Sequence, residues 1–385
     1  MDLAGSNVIF TTETPKQINE TYNGVVKDGG SFEDLKAALS EYEKYSPLYV
    51  KFLFAKFQSF KRNFSEASDL ITEVIQGLDS VVDYTIGFNQ QTFVPIYGLA
   101  GEIYANNNQF TESQIAYQDY QLCLCRLKGL EQNDSLLSFR KYNEYSLSDL
   151  INNEITVCTP RVMNDPYDTL LLKWGDFIKG RKHKPHIQPF CNALESYRIR
   201  SFSHLSSKDG EEMVSNILMW SHYADQHYGF CVQYKFSDDF LKVTEERRTV
   251  RMHEIQYQPK DEPLNLNLEE GSIDTTVGLC TKQHQWEYEN EARLIAYEPD
   301  VDGAFHSIPL DEGSHIEKIY FGYRCPDKHI ETIKKILSNR GQIKYYQMRS
   351  NPEDIYNLSS MGYGSLRAKP EGGISRRGGA SARLP

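Results

Sequence analysis

The sequence predicts an α+β protein in which an N-terminal helical domain precedes a domain built on a mainly antiparallel sheet. Three observations support this prediction. The 385 residues suit two domains of ordinary size. Residues 30–132 carry apolar side chains at helical spacing, whereas short runs of β-branched and aromatic residues recur over residues 133–352. All ten histidines and all three tryptophans follow residue 173, so the chemistry is expected in the second domain.

Composition excludes several broad classes. The net charge of −11 argues against binding nucleic acid through bulk charge. No apolar run approaches the roughly 20 residues that span a bilayer, and Met1–Phe10 lacks the pattern of a signal peptide. The seven cysteines match no zinc spacing and do not suit a disulfide framework. We therefore expect a cytoplasmic protein that contacts no membrane and holds no metal.

The predicted boundaries define four segments. Residues 1–29 form an N-terminal leader, 30–132 the helical domain and 133–352 the α+β domain. Residues 353–385 are predicted to be a flexible tail, because their end is rich in Gly, Ser and Arg and poor in apolar residues.

The helical domain shows a repeated pattern of a helix, a short polar turn and a second helix. One such unit runs from Val50 to Leu78 with its turn near Asn63, and another from Tyr97 to Tyr120 with its turn near Asn107. These units resemble tetratricopeptide-type helical hairpins. The resemblance implies a scaffold that binds a protein partner; a plain bundle that supports the second domain is the alternative.

In the second domain, charged and hydroxyl side chains occur on the predicted strands. Glu289 and Glu291 alternate on a strand predicted over residues 289–297, so they share one face, together with Glu287 and Arg293. Carboxylates placed together perturb each other's pKa, which is unusual without a functional use, although Arg293 is also a candidate structural counter-charge.

Four sequence blocks resemble a bacterial family known as domain of unknown function 2971, over residues 136–350 or so. The blocks are Arg140-Lys141-Tyr142 with Tyr145-Ser146-Leu147, Asn164-Asp165-Pro166-Tyr167, Met219-Trp220-Ser221-His222-Tyr223-Ala224 with Gly229-Phe230-Cys231, and Trp286-Glu287-Tyr288-Glu289-Asn290-Glu291-Ala292-Arg293. The family name implies no activity.

A second resemblance concerns the order of an arginine, a Ser-x-Ser strand and a Glu-x-Glu strand. Arg140, Ser201-Phe202-Ser203 and Glu289-Asn290-Glu291 follow one another in this order, and a short helix follows Arg140. This order is similar to that of ADP-ribosyltransferases, and it implies a split sheet that holds NAD in a cleft. The Phe202 position departs from that pattern, which often has a small hydroxyl residue there.

The ADP-ribosyltransferase resemblance implies a role for each candidate residue. Glu291 would bind the ribose 2′-hydroxyl and stabilise the oxocarbenium-like transition state, while Glu289 would act as general base. Arg140 would bind the pyrophosphate or a ribose, because a guanidinium binds phosphate through two donors. The other residues expected to contact NAD are Tyr142, Ser201, Ser203, Trp220 and Tyr223.

The function expected from these patterns is cleavage of the nicotinamide–ribose bond of NAD, with NAD as substrate. ADP-ribose would pass to water or to a macromolecular acceptor that the sequence leaves unidentified, as in a toxin or an antiviral defence protein. Two alternatives remain open. One is a non-enzymatic domain that binds a nucleotide or protein; the other is a nuclease in which Asp165, Glu289 and Glu291 hold Mg²⁺.

Overall fold

The computed structural model describes residues 14–44, 46–79, 87–127, 135–165, 168, 185–207, 210, 212–245, 247–259, 275–350 and 358–362. Within these ranges, helices come first and a mainly antiparallel sheet follows, which confirms the α+β class. The start of the predicted leader and the end of the predicted tail lie outside the described residues.

The N-terminal part consists of α-helices and one 3₁₀ turn at Tyr42–Lys44. The helices are α1 Thr14–Lys27, α2 Phe32–Leu39, α3 Pro47–Phe60, α4 Phe64–Asp79, α5 Gly87–Asn106 and α6 Phe110–Leu127. Helices α3 and α4, and likewise α5 and α6, are joined by three-residue turns, as predicted. The predicted leader extends too far, because Ile18 and Tyr22 of α1 are buried in the core of this part.

Local capping explains where α2 begins. The Ser31 hydroxyl accepts a hydrogen bond from the Asp34 amide, and the Asp34 carboxylate accepts one from the Ser31 amide. This reciprocal arrangement satisfies two amides that the first helical turn leaves without partners.

The second part contains a large sheet and a small parallel pair. The strands are β1 Leu136–Arg140, β2 Glu154–Cys158, β3 Tyr197–His204, β4 Phe230–Lys235, β5 Thr244–Glu245, β6 Arg248–Glu254, β7 Gln256–Gln258, β8 Thr281–Gln283, β9 Glu291–Tyr297, β10 Phe305–Pro309, β11 His315–Phe321, β12 Lys344–Ser350 and β13 Leu358–Gly362. The order across the large sheet is β13-β12-β11-β4-β1-β3-β9-β6-β5, with β2 joining β3 to β10, while β7 pairs with β8. The predicted flexible tail therefore starts too early, because β13 pairs with β12.

The helices of the second part are short. They are α7 Glu144–Asn152, α8 Ile187–Leu194, α9 Ile217–Tyr223, α10 Asp238–Leu241, α11 Thr275–Leu279 and α12 Asp327–Ile336, with 3₁₀ turns at Pro160–Val162, Met213–Ser215 and His284–Glu289. The short helix predicted after Arg140 is α7, which begins at the cap Asn143, whose side chain accepts a hydrogen bond from the Ser146 amide.

The sheet divides between β1 and β3. These antiparallel strands pair only at Leu136 with His204 and at Leu137 with Ser203. Strand β1 then continues along β4 to Arg140, whereas β3 continues along β9 to Tyr197. The two halves of the sheet diverge from Leu137 onward, which leaves a gap between neighbouring strands.

Helix α6 links the two parts. Its Leu122 and Cys125 pack in one apolar cluster with Tyr197 of β3 and Ile295 of β9. In the same interface, the Tyr197 hydroxyl donates to the Gln121 side chain at 2.9 Å. Strands β3 and β9 therefore rest against the helical part at one end. Within the described part of the chain, no helix is both long and apolar enough to cross a membrane.

Candidate functional site

A cleft of about 480 Å³ opens at the gap in the sheet. Residues 137–139 of β1 line one wall and residues 199–203 of β3 line the facing wall. The remaining lining includes acidic, basic and aromatic side chains: Asp165, Asp168, Tyr223, Lys282, Trp286, Glu289 and Glu291. The candidate site is therefore the place where the two halves of the sheet separate.

A buried lysine holds the two glutamates together. The ammonium of Lys282 lies 2.5 Å from a Glu289 oxygen and 3.0 Å from a Glu291 oxygen. It also lies 3.7 Å from an oxygen of Asp168. Lys282 is contributed by β8, whose parallel partner β7 includes Tyr257, and the Tyr257 hydroxyl accepts from the Glu291 amide at 2.8 Å.

Arg293 completes the charged cluster and has no exposed surface. Its two terminal nitrogens each donate to one Asp168 oxygen at 3.0 Å, and its Nε donates to Glu291 at 2.8 Å. One terminal nitrogen also donates to the Leu279 carbonyl at 2.6 Å. Three carboxylates thus face two cations, so one negative charge is in excess when all five groups are ionised.

The predicted strand over residues 289–297 begins two residues too early. Glu289 ends the 3₁₀ turn, Asn290 has a left-handed φ of 40°, and β9 starts at Glu291. Asparagine tolerates this conformation better than most residues. With this backbone conformation, the carboxylates of Glu289 and Glu291 are both directed towards Lys282. Glu287, expected on the same face, is exposed on the 3₁₀ turn.

The cluster separates the pKa values of the two glutamates. Burial raises the pKa of Glu289, with Glu291 adding to the rise and Lys282 opposing it. For Glu291, burial is outweighed by Arg293 and Lys282, which hold its pKa below the usual range, and the neighbouring Ser201 hydroxyl adds to this lowering. The pKa values of the two carboxylates in this site are therefore shifted in opposite directions, a pattern typical of acid–base pairs.

Strand β3 brings both predicted serines to the same face as the cluster. Ser203 lies directly opposite Glu291 and Ser201 opposite Arg293 in the antiparallel register. Cross-strand partners project to the same side of a sheet. Ser201, Ser203, Glu289 and Glu291 are thus brought together, and all four line the cleft.

The structure places Arg140 and Tyr142 elsewhere. Arg140 ends β1 three residues after Leu137, the partner of Ser203, so it projects from the opposite face of the sheet. Its guanidinium forms a buried ion pair of 2.7 Å with Asp149 of α7. Tyr142 stacks on His329 with ring centroids 3.6 Å apart. Neither residue lines the cleft. Arg140 instead binds α7, and Tyr142 packs on α12.

The aromatic candidates divide between core and cleft. Trp220 is fully buried, donates from its indole to the Val214 carbonyl at 2.7 Å and packs edge-on against Phe139. Tyr223, one turn later on α9, lines the cleft, and its hydroxyl donates to Glu289. Trp286 also lines the cleft, with Lys282 5.1 Å from the centre of its ring. Of the two tryptophans that the structure describes, Trp286 is therefore the one that faces the cleft.

The two tryptophans are expected to differ in their effect on stability. Trp220→Ala should lower the free energy of unfolding by about 3–5 kcal/mol, because it leaves a cavity in a packed core. Trp286→Ala should cost clearly less, since its ring is half-exposed. Urea unfolding of both variants measures the difference; equal losses would contradict the assignment of Trp220 to the core.

The sequence patterns did not indicate Lys282 and Asp168 as site residues. Asp168 lies 125 residues before the arginine that it binds, and neither residue belongs to a recognisable motif. The sequence did contain one indication of them. Two buried glutamates in one strand region require nearby cations, and the single positive charge of Arg293 does not balance both.

A search against family models gave one finding for this chain. Residues 219–294 match the model described as a protein of unknown function, DUF2971. This match confirms the predicted resemblance for a segment that runs from α9 to β9 and includes Tyr223, Lys282, Glu289, Glu291 and Arg293. Searches among curated proteins and among solved structures found no match.

Among the residues that the structure describes, no three His, Cys, Asp or Glu side chains are arranged to hold a metal ion. Asp168, Glu289 and Glu291 converge, but the Lys282 ammonium lies between them.

Proposed function

We propose that the cleft binds NAD and cleaves its nicotinamide–ribose bond. The observation that carries this proposal is the pair of glutamates that Lys282 holds together in the cleft, next to Ser203, which pairs with Glu291, and Ser201, which pairs with Arg293. The pKa values of the two glutamates are shifted in opposite directions. The split between β1 and β3 supports the likeness to ADP-ribosyltransferases. The ligand would lie between the two halves of the sheet.

Glu291 has the electrostatic role in this reaction. When the bond between ribose C1′ and the nicotinamide nitrogen breaks, its electron pair leaves with nicotinamide and positive charge develops on the ribose. A carboxylate that stays ionised stabilises that charge more in the transition state than in bound NAD. Arg293 and Lys282 hold Glu291 in the ionised state and fix its orientation.

Glu289 acts on the incoming nucleophile. Water or an acceptor hydroxyl adds to C1′ and loses a proton, which Glu289 accepts as general base. A raised pKa makes a carboxylate a stronger base near neutral pH, provided that it is ionised when the nucleophile adds. The Tyr223 hydroxyl donates to Glu289 and favours this ionised form.

Two measurements test the proposal directly. Thermal shift with NAD, ADP-ribose, ATP and Mg²⁺ reports binding, because a ligand that binds only the folded protein raises its stability. Chromatographic detection of nicotinamide then reports cleavage. Stabilisation by NAD with nicotinamide release supports the proposal, and the absence of both overturns it.

Tyr223→Phe is expected to move the acid limb of the pH profile. Removing the hydroxyl takes away a donor that favours the Glu289 carboxylate, so the pKa of Glu289 should rise further. A base must be ionised, so kcat/KM for product formation should fall off at a higher pH than in the wild type. A limb at unchanged pH would show that Glu289 is not the group that titrates.

The same ion pairs favour a second candidate. Lys282 and Arg293 engage Asp168, Glu289 and Glu291, as expected for a structural cluster in a non-enzymatic nucleotide-binding domain. This alternative predicts that NAD or ADP-ribose stabilises the protein without any release of nicotinamide.

The helical part suggests how the site is used. We infer that hairpins α3–α4 and α5–α6 act as a tetratricopeptide-like scaffold for a protein partner of a cytoplasmic effector, such as a toxin or defence protein. Helix α6 contacts β3 and β9, the strands that carry Ser201, Ser203 and Glu291. Pull-down with the full chain and with a chain whose α3–α4 surface is substituted would test the scaffold.

A further inference from the structure

Two arginines lie near one aspartate where β1 and β3 have already separated. Asp149 forms its ion pair with Arg140 at 2.7 Å and also accepts a hydrogen bond from Thr156. Arg200 of β3 is the second arginine, and the charges of Arg140 and Asp149 both act on it. Among these three described groups, one positive charge is therefore in excess.

Arg200 has no carboxylate partner within the described ranges of the chain. Its one side-chain hydrogen bond there runs from a terminal nitrogen to the Ser138 hydroxyl at 3.0 Å, across the gap between β3 and β1. Its Nε is buried and has no hydrogen-bond partner among the residues that the structure describes. A buried guanidinium nitrogen without an acceptor is costly, and an anionic ligand removes that cost.

The position of Arg200 makes it available to a ligand. Arg200 and Ser138 both line the cleft that also contains Glu289 and Glu291. Burial, with a further contribution from Arg140, lowers the pKa of Arg200 to about 10. Arg200 still carries its charge at neutral pH, so the cleft has an excess of positive charge near Arg200 and of negative charge near the glutamates.

We propose that Arg200, assisted by the Ser138 hydroxyl, binds a phosphate group of the ligand that occupies the cleft. For NAD this group is the pyrophosphate, and in that form the proposal rests on the proposed function. The planar guanidinium offers parallel donors to phosphate oxygens, and the Ser138 hydroxyl can donate a hydrogen bond while it accepts one from Arg200. Arg200 thus takes the role that the sequence suggested for Arg140.

The polarity of the cleft agrees with such a ligand. A dinucleotide with a nicotinamide cation has a positively charged ring at one end and two phosphate charges further along. Its cationic ring suits the carboxylate-rich end, and its phosphates suit Arg200. A neutral or purely cationic ligand would leave Arg200 without a counter-charge.

Isothermal titration of the full chain with inorganic pyrophosphate and with ADP-ribose tests this proposal. Arg200→Gln should weaken binding of both by about 10-fold or more, as expected for loss of hydrogen bonds to a charged group. Arg200→Lys should lose less affinity, because lysine keeps the positive charge although it lacks the paired donors. Arg62→Gln, an exposed position in the helical part, is the control for the loss of one positive charge and should bind as the wild type does.

Each outcome decides the question. Binding to Arg200→Gln within twofold of the wild type, or no binding of either probe to the wild type, overturns the role of Arg200. Should Arg200→Gln fail to fold by circular dichroism, Arg200→Lys and Ser138→Ala replace it, and unchanged affinity in both overturns the proposal. If the wild type releases nicotinamide and substitution of Arg200 does not change the affinity for either probe, only the role of Arg200 is rejected and the proposed function remains. Pyrophosphate binding through Arg200 without NAD cleavage would reject only the proposed reaction.

Discussion

Glu291→Gln is expected to abolish nicotinamide release, with kcat reduced about 10²–10³-fold, the range found when one preorganised electrostatic contact to a transition state is removed. Glutamine keeps the shape of the side chain but removes the negative charge that would stabilise the developing ribosyl cation. NAD affinity should change less than kcat, because the lost interaction is stronger in the transition state than in the bound substrate.

The matched control is Glu287→Gln. Glu287 is exposed on the 3₁₀ turn just before Glu289, so this variant makes the same chemical change outside the charged cluster. Its rate should equal that of the wild type. Circular dichroism and urea unfolding of both variants separate a loss of chemistry from a loss of fold. Full nicotinamide release by a folded Glu291→Gln protein would rule out the role of this glutamate.

Arg293→Met is expected to give the largest loss of stability among the variants of the cluster, about 3–5 kcal/mol in the free energy of unfolding. The substitution retains much of the apolar volume but leaves Asp168 and Glu291, both nearly inaccessible, without their main cation. Arg161→Met is the control. Both partners of the Arg161–Glu195 ion pair are exposed, so this variant should lose less than about 1 kcal/mol of the free energy of unfolding.

The deficit of Arg293→Met should depend on pH. In the wild type the pKa of Glu291 is lowered on folding, so its contribution to stability is present above its unfolded-state value, near 4.3, and is lost as the pH falls towards the folded value. In the variant, buried carboxylates without the cation favour protonation. The difference in the free energy of unfolding between the wild type and the variant should therefore be large at pH 7 and should become smaller below about pH 4. A deficit that stays constant from pH 7 to pH 3 would contradict this account.

The elements that the sequence predicted correctly are those with strong local patterns. Helices α3, α4 and α6 follow apolar spacing and polar turns. Strand β3 contains the predicted Ser201-Phe202-Ser203 strand. The boundaries failed where local pattern was weak: β13 lies in a segment without a marked strand signal, and Asn290 interrupts the predicted strand by adopting a left-handed conformation.

Part of the site was also predictable. One cleft is lined by five of the residues that the resemblance indicated: Glu289, Glu291, Ser201, Ser203 and Tyr223. Their contact with NAD stays a prediction. Arg140 could not be placed from its sequence position, because the face from which a strand residue projects depends on register with neighbouring strands, and register is a tertiary property. Arg200 lies three residues before Ser203 and so shares the face of Arg140; its guanidinium donates to Ser138 across the gap, whereas Arg140 pairs with Asp149.

By itself, the sequence determined that a helical part precedes a mainly antiparallel α+β part, and that the glutamates and serines are the candidates for chemistry. Helical and strand periodicities are local, and they appear wherever one face of an element is buried. Tertiary structure alone decided which charges meet. Lys282, Asp168 and Arg200 reach the cleft because the sheet divides between β1 and β3, and no local pattern records which distant side chains such a division brings together.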